Sequence, residues 1–364
     1  MTQFQIEIQL VAVLVAAACA IPGVFLVLRR VALMSDAISH TVLFGIVIGF
    51  FILKDINNPL LILFAAGAGV LTVSLSELLL RTGRVREDAA IGLVFPALFS
   101  IAVILITQNF QNIHLDVDAV LLGELAFAPF NRVGDVPRGV VVMGIILLIN
   151  IVLIGLFYKE LKLATFDTGM AAALGFSPAL IHYGLMTSVS VTAVGAFDHV
   201  GSILVIALMI APPAAAYLLT DRLGRMLVYS VIIGAASAIS GYWVARELNV
   251  NISGTMATMA GVLFVIVLLT APERGLVARA IQRKRRGERF AVEMLLVHLK
   301  RHEYTSEAAS ENTINHLVEE LNWKPKLAQA TVQRAARQGW IERRRDALTL
   351  TESGRQTAVN LLAR

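Results

Sequence analysis

The sequence predicts an all-α polytopic membrane protein of eight to ten transmembrane helices, followed by a small soluble domain. Three observations carry this. First, 57% of the 364 residues are hydrophobic and the mean hydropathy is +0.74, whereas soluble domains are about 45–50% apolar. Second, apolar runs recur along the first 271 residues at the length of about 20 that a bilayer-spanning helix needs. Third, charge is segregated. Residues 1–282 hold 15 Lys/Arg against 16 Asp/Glu, and residues 283–364 hold 16 against 10. A long, nearly neutral apolar part followed by a short basic one implies two solvents. The expected division is a transmembrane domain at 1–280, a basic linker at 281–289 and a soluble domain at 290–364.

Nine apolar segments reach spanning length: 6–28, 31–53, 59–80, 90–107, 138–157, 177–197, 199–219, 226–246 and 255–271. The pair at 177–219 is separated only by "FDHVG", so it reads either as two spans or as one span with a broken half-helix. The first run is preceded by no basic region and followed by no small-residue cleavage site, which predicts a retained helix rather than a signal peptide. Basic residues mark the cytoplasmic loops. Arg29 and Arg30, Arg81, Arg84 and Arg86, Lys159 and Lys162, Arg222 and Arg225, and Arg274 and Arg279 follow alternate spans. Nine spans then put the N-terminus outside and the C-terminus in the cytoplasm. The single cysteine, Cys19, excludes an intrachain disulfide and a cysteine metal cluster.

Two connections are longer than a turn needs. Residues 108–137 face outward and hold His114, Asp116, Asp118 and Glu124, which can draw cations or dock a binding protein. Residues 158–176 face inward. A short helical pattern follows Phe166 there, with Asp167 as its N-cap, and the chain turns back near Gly175, Ser177 and Pro178.

The second span opens with "LMSDAISHTV", residues 33–42. Residues four apart share a helix face, so Asp36, Ser39 and His40 form one polar stripe with Ser35 at its edge. Ionisable residues at membrane depth are costly and mark functional positions. A carboxylate and an imidazole at this spacing suit a divalent transition metal such as Mn, Fe or Zn. A structural Asp–His hydrogen bond between packed helices is the competing reading. Two ligands do not complete a coordination shell, so water, another helix or another subunit must supply the rest. Asp198 and His199 in "FDHVG" lie at the outer end of a span, as an entry-side ligand pair or a solvated pair. The chain has no G-x-x-x-x-G-K-[ST], so it carries no motif for ATP hydrolysis and reads as non-catalytic.

"RKRRGER", 283–289, is expected at the anionic lipid surface, where each Lys or Arg gains about 1 kcal/mol. Helical apolar spacing follows over 290–302, 312–322 and 324–340, with Pro325 suited to a first helical turn and Gly339 to a helix end. "WIERRRDALTLTESGRQTAVNLL" reads as strand, tight turn, strand and helix. Residues 290–364 resemble a winged helix-turn-helix of the kind found in metal-dependent repressors, most specifically over "GWIERRRDALTLTESGRQTA". That resemblance implies nucleic-acid contact through Gln329, Gln333, Arg334 and Arg337 of the third helix and Arg343, Arg344 and Arg345 of the wing. A solvated basic face used for protein contact is the alternative. His298, His302 and His316 read as either a metal sensor or bystanders.

Four stretches of the apolar part, in order, resemble manganese/zinc/iron-type (ABC-3 family) metal ABC transporter permeases. These are "RRVALMSDAISHTVLFGIVIGF", "GRVREDAAIGLVFPALFSIAVILI", "LDVDAVLLGELAFAP" and "VGSILVIALMIAPPAAAYLLTDRLGRM". Leu122 stands where the family commonly has Phe. The resemblance implies an inner-membrane permease subunit of a bacterial ABC importer, working by ATPase-driven alternating access. Its partners would be a second permease subunit, identical or paralogous, a cytoplasmic ATPase dimer and an extracytoplasmic metal-binding protein. No permanently bound cofactor is implied, only a transported Mn, Zn or Fe ion. Asp36 and His40 fall on the family's intramembrane metal site. The 163–176 segment falls where these permeases present a coupling helix, with Asp167, Met170, Ala171, Leu174 and Phe176 as its contact residues. The tail departs from the usual pattern, which keeps a membrane-tethered winged-helix regulator as the alternative.

Overall fold

The computed structural model describes residues 2–55, 58, 60–109, 123, 125–304, 311–344 and 347–363. The chain divides into two units, Met1–Gly275 and Leu276–Arg364, each with its own apolar core.

The first unit contains helices α1 (Gln3–Leu28), α2 (Leu33–Leu53), α3 (Leu61–Arg81), α4 (Glu87–Asn109), α5 (Arg138–Leu156), α6 (Tyr158–Phe166), α7 (Thr168–Ala173), α8 (Pro178–Leu219), α9 (Leu223–Leu248) and α10 (Ile252–Thr270). Eight of the described helices, all but α6 and α7, are long and apolar enough to cross a membrane. Helix α1 is the central one. It is apolar around its whole circumference, the pattern of a helix enclosed by others, and Val11 through Leu26 are largely buried. Small residues let its neighbours approach closely. A Cβ at Gly23 would fall 2.2 Å from the Met209 carbonyl oxygen, and one at Gly45 of α2 would fall 2.4 Å from that of Phe64 on α3.

Buried polar side chains join the helices at fixed heights. Asn150 of α5 donates from Nδ2 to the Ala18 carbonyl at 3.1 Å and to Thr192 Oγ1 at 2.9 Å, and accepts from Ser188 Oγ at 2.7 Å. Thr72 of α3 donates to Thr41 of α2 at 2.8 Å. Away from water, such groups stay in place only when paired.

Helix α8 resolves the ambiguity at "FDHVG". Its 42 residues would run about 63 Å if straight, roughly twice a bilayer core. It is broken at Gly201, where φ is 75° and ψ is 166°, a region essentially confined to glycine. Before the break, His199 lies against Gly139 and, with it, Val11 near the start of α1. After it, Met209 packs on Gly23 near the end of α1. The chain therefore doubles back along α1 at Gly201. "FDHVG" is not a loop: Asp198 and His199 are helical to the last residue before the break, because nothing ahead of Gly201 interrupts the helix.

The connections hold elements that apolar patterning does not reveal. Residues 158–166 are helical throughout. Residues Arg132–Val133 (β1) and Val136–Pro137 (β2) make a small antiparallel hairpin, with Gly134 at φ 63° in its turn.

The second unit runs α11 (Leu276–Arg301), α12 (Ile314–Glu320), α13 (Pro325–Arg337), β3 (Ile341–Arg344), β4 (Ala347–Leu350) and α14 (Glu352–Leu362). Strands β3 and β4 pair antiparallel. Leu295, Leu296, Leu299, Leu317, Val332 and Leu348 form its core. Thr313 caps α12 and Thr351 caps α14 through their hydroxyls, as N-cap threonines do. The expected linker at 281–289 is instead helical and part of α11. Apart from Ile281 and Gly287, that stretch consists of good helix formers such as Arg, Lys and Gln, so the helix begins before the basic run.

Candidate metal site

Helix α2 begins at Leu33, so Asp36 sits in its first turn, where the helix dipole favours a carboxylate. One turn later His40 brings its Nε2 to 3.3 Å from Asp36 Oδ1. The four polar residues of the stripe divide into two pairs. Ser35 and Ser39 are buried, and their hydroxyls donate back to the Ala32 and Ser35 carbonyls at 2.8 and 2.9 Å. Asp36 and His40 stay about one-third exposed, at 37% and 34% of their side-chain surface. The pair that remains accessible is the pair able to bind a cation.

The spacing suits shared coordination. Two donors each about 2.1 Å from one ion lie about 3.0–3.4 Å apart at cis or tetrahedral angles. His40 is held by aromatic rings of α4, stacked on Phe95 at 5.5 Å between centroids and edge-on to Phe99 at 6.1 Å. It borders a cavity of about 530 Å³ lined mainly by α2 and α4, with Phe197 and Ser202 from either side of the α8 break. The two phenylalanines carry no signal at the sequence level, where they read as ordinary lipid-facing residues.

The other expected residues are not gathered here. His199 is 8% exposed and packs toward α1 and α5, while the adjacent Asp198 is exposed. Consecutive helical residues point about 100° apart, so the two do not face one point. His114, Asp116, Asp118, Glu124 and Arg345 lie outside the described residues, as does the side chain of Arg344.

Asp167 caps α7, its Oδ1 accepting from Met170 N at 2.8 Å. Phe166, Met170, Leu174 and Phe176 are exposed on this connection, whereas Ala171 is fully buried and leaves the exposed apolar face to the larger side chains. The connection is anchored by a polar cluster that sequence patterning misses, because its members are far apart in the chain. Arg29 donates to Thr165 Oγ1 at 3.2 Å and lies 3.3 Å from His182 Nδ1. His182 Nε2 is 3.1 Å from Glu77 Oε1, and Tyr183 donates to Glu77 Oε2 at 2.6 Å. The ends of α1, α3 and α6 and the start of α8 are thus joined by one polar cluster.

In the second unit, Gln329, Gln333 and Arg337 are exposed on α13, as is Arg343 on β3. Arg334 is paired with Glu288 of α11 at 3.1 Å.

Residues 1–271 match the ABC 3 transport family model. The chain is 49% identical to the zinc transport system membrane protein TroD of Treponema pallidum (strain Nichols), over 96% of both chains. It is 46% identical to the manganese transport system membrane protein MntD of Bacillus subtilis (strain 168), over 74% of this chain and 93% of that one. It is 32% identical to the chelated iron transport system membrane protein YfeC of Yersinia pestis, over 74% and 86%. Among solved structures, PsaBC from Streptococcus pneumoniae in complex with Fab matches with a TM-score of 0.64 and 28% identity, covering 78% of this chain and 96% of that one.

Proposed function

The chain belongs to the ABC 3 transport family, and from that premise we propose that it is the permease subunit of an importer for divalent manganese, zinc or iron. The observation that carries this reading is the Asp36–His40 pair, 3.3 Å apart on an apolar helix, with His40 bordering a cavity. A dication entering a low-dielectric path needs oxygen and nitrogen donors to replace its water. Asp36 supplies the compensating charge, His40 adds preference over Mg and Ca, and water or a second subunit completes the shell. Relatives named for zinc, manganese and iron transport all resemble this chain, so the cargo is assigned as a class.

Energy comes from a cytoplasmic ATPase dimer that presses on residues 158–176, with Phe166, Met170, Leu174 and Phe176 in contact. An extracytoplasmic metal-binding protein delivers the ion, and alternating access moves it past α2. The basic residues of alternate loops orient the subunit in a bacterial inner membrane with the N-terminus outside and the C-terminus in the cytoplasm. Residues 290–364 serve as a winged-helix regulatory module. The exposed Gln329, Gln333 and Arg337 of α13 support a second reading, a membrane-tethered DNA-binding regulator. Salt-dependent binding of duplex DNA by the full chain in detergent would favour it.

Asp36→Ala and His40→Ala should each abolish metal uptake in an importer-deficient strain, with expression and complex assembly unchanged. Whole-cell metal content reads the result, and normal accumulation in both variants would refute the assigned site.

A further inference from the structure

We infer that the second unit carries its own binding site for a divalent transition-metal ion, built from His298 and His302 of α11 and its C-terminal end and His316 and Glu320 of α12. The three imidazoles surround one carboxylate. His298 Nδ1 is 3.3 Å and His316 Nε2 2.8 Å from Glu320 Oε2, and His302 Nε2 is 4.0 Å from Glu320 Oε1. Ring centroids are 4.6 Å apart for His298 and His302, and 5.7 Å for His298 and His316. Donor atoms of His298, His302 and Glu320 all lie within 4.8 Å of one another, close enough to converge on one ion after small rotamer shifts.

Two further features point to a cation rather than to a network of side chains alone. His298 is 95% buried by side chain, with only 5% exposed. Its Nε2 and that of His316 are sealed from solvent, and His316 Nε2 has the Glu320 carboxylate as its partner. Finally, His302 Nδ1 lies 2.5 Å from Glu311 Oε2. A carboxylate on the far nitrogen of a ligating histidine fixes the ring and raises its basicity. Three imidazoles and one carboxylate suit Zn and its first-row neighbours, and disfavour Mg and Ca. An ion held here would tie α11 to α12. The site does not depend on the membrane unit carrying metal, and it shares no residue with Asp36 and His40.

The test uses the full chain in detergent with Zn²⁺ alone as probe, in a background carrying Asp36→Ala and His40→Ala. One equivalent per chain should remain bound after gel filtration. Adding His302→Ala with His316→Ala should remove it, or weaken it by about 100-fold or more. Glu311→Gln should weaken it by about 10–100-fold, and Glu319→Gln, an exposed neighbour, should change nothing. Zn²⁺ should also raise amide protection across α12 in the background protein and not in the histidine variant. If the histidine pair disturbs folding, Glu320→Gln replaces it, since Glu320 is 44% exposed and its amide preserves shape. Zn²⁺ retained with unchanged affinity by folded Glu320→Gln, or by the folded histidine variant, would overturn the assignment.

Discussion

At the scale of single residues, helix geometry sorts a polar stripe into structural and functional members. Ser35 and Ser39 satisfy themselves on backbone carbonyls of the preceding turn, so they lie buried at little cost. Asp36 and His40 have no such option and remain about one-third exposed, His40 on the cavity. Their spacing was legible in the sequence, because four residues make about one helical turn. The rings that hold His40 were not, since Phe95 and Phe99 meet it only when α2 packs on α4. Asn150 is the counterpart deep in the bundle. It binds groups from α1 and α8 at once, and interhelical hydrogen bonds of this kind contribute about 0.6–1.7 kcal/mol each. Asn150→Ala should therefore lower the thermal midpoint of the purified protein in detergent by several degrees without abolishing insertion. Asn150→Leu should behave similarly, and an unchanged midpoint in both would remove the bridging role.

At the scale of elements, α8 is the decisive piece. Apolar length alone does not distinguish one long helix from two antiparallel ones, and only a backbone conformation open to glycine turns the chain so sharply. Any side chain at Gly201 adopts its φ of 75° and ψ of 166° with strain of about 1–3 kcal/mol. Gly123 adds to the constraint, since a Cβ there would fall 2.3 Å from the Val200 carbonyl carbon. Gly201→Ala should weaken folding and uptake together, whereas Gly184→Ala, in a helical position with open space, should be silent or slightly stabilising. Equal behaviour of the two variants in thermal melting would argue against a specialised turn. The connection at 158–176 shows a similar limit of sequence reading. Its cap at Asp167 follows from local chemistry, but its anchoring through Arg29, Glu77, His182 and Thr165 joins residues more than 100 positions apart.

At the scale of the whole molecule, the two units have separate cores. A chain ending after Gly275 should insert and remain monodisperse in detergent, because among the described residues no buried member of the first core lies beyond that point. Loss of its thermal transition would show that the second unit is needed for folding. If uptake persists but no longer responds to cytoplasmic metal, the second unit is regulatory as proposed. The sequence by itself determined the class of the molecule, its apolar helices, its basic tail and the Asp36–His40 spacing, because hydropathy, charge and helical period are local properties. Tertiary structure alone decided where α8 reverses, which stripe residues stay accessible, and that His298, His302, His316 and Glu320 converge. Those outcomes depend on distances between segments remote in the chain, which no local pattern encodes.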